Sequence, residues 1–322
     1  MKRSIITLCS ALVIFITMAA LAACGNGNGV NGENGESPGN TPHAPPAYDR
    51  EGFPLVLPEE INAIISIGPS NTEILMALGF GAQIIYTDRF SNDVPGIRPE
   101  IAVLEMMALD AEFILNAQPD VIFITGMTRA HGDDHPLRLV SDAGISVIYM
   151  PSSTSIAAII EDIRFIAAVM GAHGGGEAIV ADMQAEIDSI RQITENIADD
   201  ERRTVYFEIS PAPFMFSFGS GTFLHEMIEL VGGINIFADR EGWLPVADEV
   251  LLPLNPDVIL TSTNFLEDPI AEIADRPGWS VMTAVQNGDI FQIDTASSNR
   301  PSHNIIRALR EMAQAVHPDL FS

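Results

Sequence analysis

Short apolar runs alternating with helical periodicity constrain the fold of this chain more than any other feature. Residues 63–67 (AIISI), 83–86 (QIIY), 121–125 (VIFIT) and 146–150 (SVIYM) are each almost continuously hydrophobic, as strands buried on both faces must be. Helical patterns at 71–78 and 109–117 separate them, an order that predicts a parallel α/β sheet. A second series, 204–208 (TVYFE), 257–262 (DVILTS) and 289–293 (DIFQI), predicts a second sheet and hence two lobes. Between the series, apolar residues recur at helical spacing from Ile156 to Met170 and from Ile179 to Ile197, on either side of a break at Gly171 to Gly176. The second helix, about 21 residues from Glu177, would be about 30 Å long, enough to run from one lobe to the other. Such a connection is stiff and argues against wide hinge closure.

The two halves echo one another. Glu112 is followed by six residues and then Pro119-Asp120-Val121-Ile122; Glu249 is followed by six residues and then Pro256-Asp257-Val258-Ile259. A looser echo pairs the stretch from Glu73 to Gly79 with that from Glu226 to Gly232. Related lobes would carry such equivalent glutamates on corresponding surfaces. Taken singly, each of Glu112 and Glu249 is also what the dipole favours in the first turn of a helix.

The N-terminus reads as an export signal. Lys2 and Arg3 precede an apolar run to Ala23, and Leu21-Ala22-Ala23-Cys24 resembles the lipobox of bacterial lipoproteins. That resemblance implies a signal peptide over 1–23 and a diacylglycerol on Cys24, with an uncleaved signal anchor as the alternative. Cys9 would be lost with the signal, so a disulfide framework and a cysteine-ligated metal are both excluded. Residues 24–47, rich in Gly, Asn and Pro, read as a flexible tether that would leave the body free above the membrane. Beyond residue 23 there is no lysine, and 14 arginines face all 43 acids. So acidic a body binds neither nucleic acid nor an anionic membrane surface.

At residue level the chain is similar to the substrate-binding proteins of ABC importers for ferric siderophores, haem and cobalamin. The resemblance rests on Ser66-Ile67-Gly68-Pro69-Ser70-Asn71-Thr72-Glu73, Gln118-Pro119-Asp120-Val121-Ile122, Pro151-Ser152-Ser153-Thr154-Ser155-Ile156, Val231-Gly232-Gly233-Ile234-Asn235, Asn255-Pro256-Asp257, Arg276-Pro277-Gly278-Trp279 and His317-Pro318. It implies an α/β fold with two Rossmann-like lobes, parallel sheets and a long rigid helix between them. The N-terminal lobe would span 48–155, the helical connection 156–202 and the C-terminal lobe 203–322. It further implies a monomer on the extracytoplasmic side of the membrane, with an ABC permease and its ATPase as partners. Glu112 and Glu249 would dock onto permease arginines, and a small-molecule metal chelate would lie in the cleft between the lobes.

Loops at the C-terminal strand ends face such a cleft. They carry Ser70, Asn71, Arg89, Phe90, Arg129, Phe214, Trp243 and Arg300, a set of aromatics and arginines suited to a large, partly apolar chelate. By resemblance, Phe90 and Trp243 match ligand-contacting positions and Arg300 an anion-contacting one. Phe214, Phe216 and Phe218 have period-two spacing that equally suits core packing, and Arg129 equally suits a solvated loop. An iron complex, a ferric siderophore or haem, is expected ahead of cobalamin, and no resident cofactor or catalytic residue is expected. One alternative is a receptor lipoprotein for bare zinc or manganese using His131 and His135, although Gly132 and Pro136 argue against a ligand-presenting helix. Another is an adhesion or signalling lipoprotein on the same fold. An enzyme is the alternative of another class, but Gly219-Ser220-Gly221 lacks the Gly-x-Ser-x-Gly elbow and no Gly-x-Gly-x-x-Gly follows a first strand.

Overall fold

The apolar runs of the first half form one five-stranded sheet. In the computed structural model, which describes residues 44–128 and 137–321, β1 (Ile64–Ile67), β2 (Ile84–Asp88), β3 (Ala102–Leu104), β4 (Val121–Thr125) and β5 (Ser146–Met150) are all parallel, in the order β3-β2-β1-β4-β5. Alternate side chains divide between two cores. Ile64, Val121, Phe123 and Ile148 pack with α1 (Pro69–Ala77), while Ile65, Ile122, Ile124 and Val147 pack with α2 (Ala111–Ala117) and α3 (Arg138–Asp142). Edge strand β3 exposes Val103, which is why its sequence lacks the continuous apolar signal of the others.

Two helices, α4 (Ile156–Val169) and α5 (His173–Thr194), connect the halves. At 22 residues α5 is about 33 Å long. It starts at His173 rather than Glu177, so the expected glycine break shrinks to the turn around Gly171 (φ +65°). Packing explains this: a Cβ on Gly176 would lie 2.5 Å from the Cβ of Ala167, so the glycine lets α5 press against α4.

The second half supplies β6 (Thr204–Glu208), β7 (Phe216–Phe218), β8 (Ile234–Asn235), β9 (Trp243–Pro245), β10 (Val258–Thr261) and β11 (Ile290–Gln292). Four of these form a parallel sheet, β11-β10-β6-β8, and β7 pairs antiparallel with β9. Around them lie α6 (Phe223–Leu230), α7 (Asp248–Leu254), α8 (Pro269–Ala274), α9 (Thr283–Asn287), α10 (Thr295–Asn299) and α11 (Ile305–Val316). A single hydrophobic core runs from β1 and β4 through α4 and α5 into β6, β10 and α11.

The sequence echo is structural. Helices α2 and α7 both end on a left-handed residue, Gln118 (φ 49°) and Asn255 (φ 44°). The aspartate two residues on then caps the neighbouring strand: Asp120 Oδ2 accepts from Asn62 N (2.7 Å) and Ala63 N (2.8 Å), and Asp257 Oδ2 from Thr204 N (2.8 Å) and Oγ1 (2.7 Å).

Candidate ligand-binding cleft

A cavity of about 600 Å³ opens between the lobes, beside the loops leaving β1, β2, β4 and β5. That volume is typical of small-molecule sites, about 300–1,000 Å³, and the lining is mainly apolar.

In the first lobe one buried carboxylate fixes two of the loops. Asp88, at the end of β2, accepts from Gly68 N (2.7 Å), Ser91 Oγ (2.7 Å) and Phe90 N (2.8 Å). Gly68 turns with φ +107°, a conformation that an L side chain rarely adopts. This arrangement presents Ser70, Asn71 and Phe90 to the cavity. Met106, Met127 and Met150 add thioethers to the wall. At the floor Asp162 of α4 takes a hydrogen bond from Ser153 and one from Arg50 Nε at 2.8 Å, while Arg50 also pairs with Glu161 at 2.9 Å. Burial pushes the Asp162 carboxyl above its usual range, and the Ser153 and Arg50 contacts pull it back.

The second lobe contributes Gly221 to Phe223, at the start of α6, and Trp243 on β9. Trp243 is 51% exposed and is backed by Phe218 at 5.9 Å between ring centres, itself against Phe207 at 5.5 Å. This edge-to-face and tilted stacking braces an aromatic surface from the core outward. Arg300 lines the cavity, but its charge is taken up by the opposite lobe. It bonds Glu73 Oε1 (3.1 Å), Asp93 Oδ1 and Oδ2 (2.7 and 2.9 Å) and the Phe90 carbonyl (3.0 Å).

Of the residues expected at the cleft, Ser70, Asn71, Phe90, Trp243 and Arg300 come together around the cavity. Arg89 does not: its guanidinium lies 4.7 Å from the Phe90 ring centre, outside the lining. Phe214 is also outside, 82% exposed in the loop before β7, whereas Phe218 within β7 is fully buried. Arg300, expected as an anion contact, is engaged here by two carboxylates, Glu73 and Asp93. Arg129, His131, His135 and Cys24 lie outside the described residues. Among those described, no group of three or more His, Cys, Asp or Glu is placed to hold a metal ion. Glu112 and Glu249 are exposed in the first turns of α2 and α7, with Asp110 capping the former helix. Both helices run back toward the start of the next strand, so their N-termini lie at the cleft edge of each sheet.

Sequence reasoning placed Met127 in a cleft loop but missed Asp162, Ser153, Arg50, Met106, Met150 and Phe223. Asp162 left a signal, since a carboxylate between Ile159 and Ile163 interrupts the buried face of a helix.

Residues 64–296 match the family model for periplasmic binding proteins. An ABC transporter substrate-binding lipoprotein of Bacillus subtilis, YvrC, is 27% identical over 274 residues, covering 85% of each chain. The vitamin B12-binding protein of Vibrio cholerae is 25% identical over 260 residues, covering 80% of this chain and 90% of its own. Among solved structures, the periplasmic haem-binding protein RhuT of Roseiflexus sp. RS-1 superposes with a TM-score of 0.70 at 25% identity, over 80% of this chain and 98% of that one.

Proposed function

The chain belongs to the periplasmic binding protein family, and we propose that its cleft takes a corrinoid of the cobalamin class. It is a substrate-binding component of an ABC transporter, so a permease and an ATPase are its partners. The observation that carries the ligand reading is the charge balance of the cavity. Among the described residues the charged groups in the lining are Arg300, held by Glu73 and Asp93, and Asp162, held by Arg50. An anionic catecholate, citrate or haem propionate would meet there an arginine already engaged by two carboxylates. A neutral macrocycle with amide edges can instead rest on Trp243, Phe90 and Phe223 and donate hydrogen bonds toward Asp162. The vitamin B12-binding relative supports this choice over the iron complex expected from sequence. Haem is the second reading, favoured by the thioethers of Met106, Met127 and Met150, which are possible iron ligands, and by the likeness to RhuT.

Delivery follows from the same architecture. Glu112 and Glu249 dock onto permease arginines through charge-assisted contacts, one on each lobe, which fixes orientation. A lipid on Cys24 holds the monomer at the extracytoplasmic membrane face.

Titration of the full chain with cyanocobalamin, haemin, a ferric hydroxamate and a ferric catecholate, followed by calorimetry and tryptophan fluorescence, tests the ligand class. Cyanocobalamin should bind tightest and change the Trp243 emission, and Trp243→Phe should remove that change. Tighter binding of an anionic iron chelate would overturn the corrinoid reading.

A further inference from the structure

Two glutamates cross the boundary between the lobes in opposite directions. Glu73, on α1 of the first lobe, is 3% exposed. It accepts from Asn304 Nδ2 (2.9 Å), Arg300 Nη1 (3.1 Å) and Ser302 Oγ, all on the second-lobe segment that leads into α11. Glu226, on α6 of the second lobe, accepts from the backbone N–H of Ile156 (2.7 Å), the first residue of α4.

Their positions correspond. Each glutamate lies six residues before a glycine of positive φ, Gly79 (90°) and Gly232 (76°), just past the end of its helix. Each carboxylate meets the approach to the helix that follows the last strand of the opposite lobe: α11 after β11, with α10 between, and α4 after β5. Glu226 takes an otherwise unpaired backbone amide at the start of α4, whereas Glu73 is held by the side chains of Arg300, Ser302 and Asn304 just before α11, and the positive end of the helix dipole favours a carboxylate at either place. Helices α4 and α11 both pack on α5, so the two ties and the connecting helix share one framework. Neither glutamate lines the cavity, but Asn71, Ile74, Phe223 and Arg300, beside them in sequence or bonded to them, do.

We propose that Glu73 and Glu226 are a reciprocal pair of positioning residues that set the width of the cleft, each tying its own lobe to a helix start of the other. One tie would leave the lobes free to rotate about it. Two ties of opposite direction, with α5, fix that rotation, and the cavity walls are held at a set spacing before a ligand arrives. Less of the binding free energy is then lost to ordering the site. The inference does not depend on which chelate the cleft takes.

Hydrogen exchange and small-angle scattering of the ligand-free full chain test it, using Glu73→Gln, Glu226→Gln and the double variant. Glutamine keeps the side-chain size while removing the charge that strengthens these bonds. In Glu226→Gln the Ile156 amide should exchange about tenfold faster, and in Glu73→Gln the 300–306 segment should do the same. The double variant should give a broader distribution of interlobe distances, while amides of β1, β4, β6 and β10 keep their protection. Unchanged exchange at both ties, or equal acceleration through the strands, would overturn the proposal. If Glu73→Gln does not fold, Glu226→Gln decides alone, because unaltered exchange at Ile156 contradicts the pairing.

Discussion

Replacing Arg276 by methionine should destabilise the protein strongly and in a pH-dependent way. Arg276 is 8% exposed; its Nη atoms bond Glu208 at 2.6 and 2.9 Å, its Nε bonds Glu272 at 2.9 Å, and its guanidinium lies 4.4 Å from the Trp279 ring. Glu208 is fully buried at the end of β6, and methionine would leave it without its cation. Breaking a buried pair in this way costs about 3–5 kcal/mol. For a body of this size each kcal/mol moves Tm by about 2–4 °C, so a fall of roughly 6–20 °C is expected. The sign of the pH effect follows from Glu208. Burial already holds its carboxyl above the usual range, with Arg276 pulling it down, and removing the arginine raises it further. The folded state then binds that proton more tightly than the unfolded one. Stability therefore drops as pH rises from the ordinary carboxylate range through the raised folded value. Melting curves by circular dichroism at pH 5, 6.5 and 8 should show the deficit of Arg276→Met against wild type growing with pH. Adding Glu208→Gln should recover much of it. A Tm change under about 2 °C, or a deficit largest at pH 5, would refute the reasoning. The cluster also reaches the cleft edge, since Trp279 Nε1 donates to Asp248 Oδ1 at 3.0 Å, next to Glu249.

Joint replacement of Glu112 and Glu249 by alanine should lower cellular uptake of the ligand by at least about tenfold while its Kd stays within about twofold, measured by radiolabel uptake and calorimetry. Undiminished uptake would remove the docking role. Gly176→Ala places a Cβ 2.5 Å from that of Ala167 and must push α5 from α4; urea unfolding should register a loss of about 1–3 kcal/mol.

The strands of both lobes were legible because continuous β-branched runs belong to sheets covered on both faces. Val121–Thr125, Ser146–Met150 and Thr204–Glu208 occupy the spans their sequence predicts. Strand β3 was missed because half-exposed edges lose that signal, as was the short β9, whereas its partner β7 falls within the period-two run of Phe214, Phe216 and Phe218. The glycines before Glu177 read as a break because propensity counts against them, whereas close packing of α4 on α5 favours one of them. At the cleft, Trp243 and Phe90 stood out as aromatics in loops. The sequence could not say that Arg300 is neutralised by Glu73, 227 residues away, because pairing across two lobes has no local pattern.

The core that passes through α4 and α5 into the second sheet makes the two lobes a single thermodynamic unit. Neither half contains the whole of its own apolar interior, so cutting the chain at Gly171 would leave two fragments with exposed core rather than two domains. A ligand that touches only one lobe would still raise the melting temperature of both, because binding free energy is linked to the unfolding of everything that unfolds together.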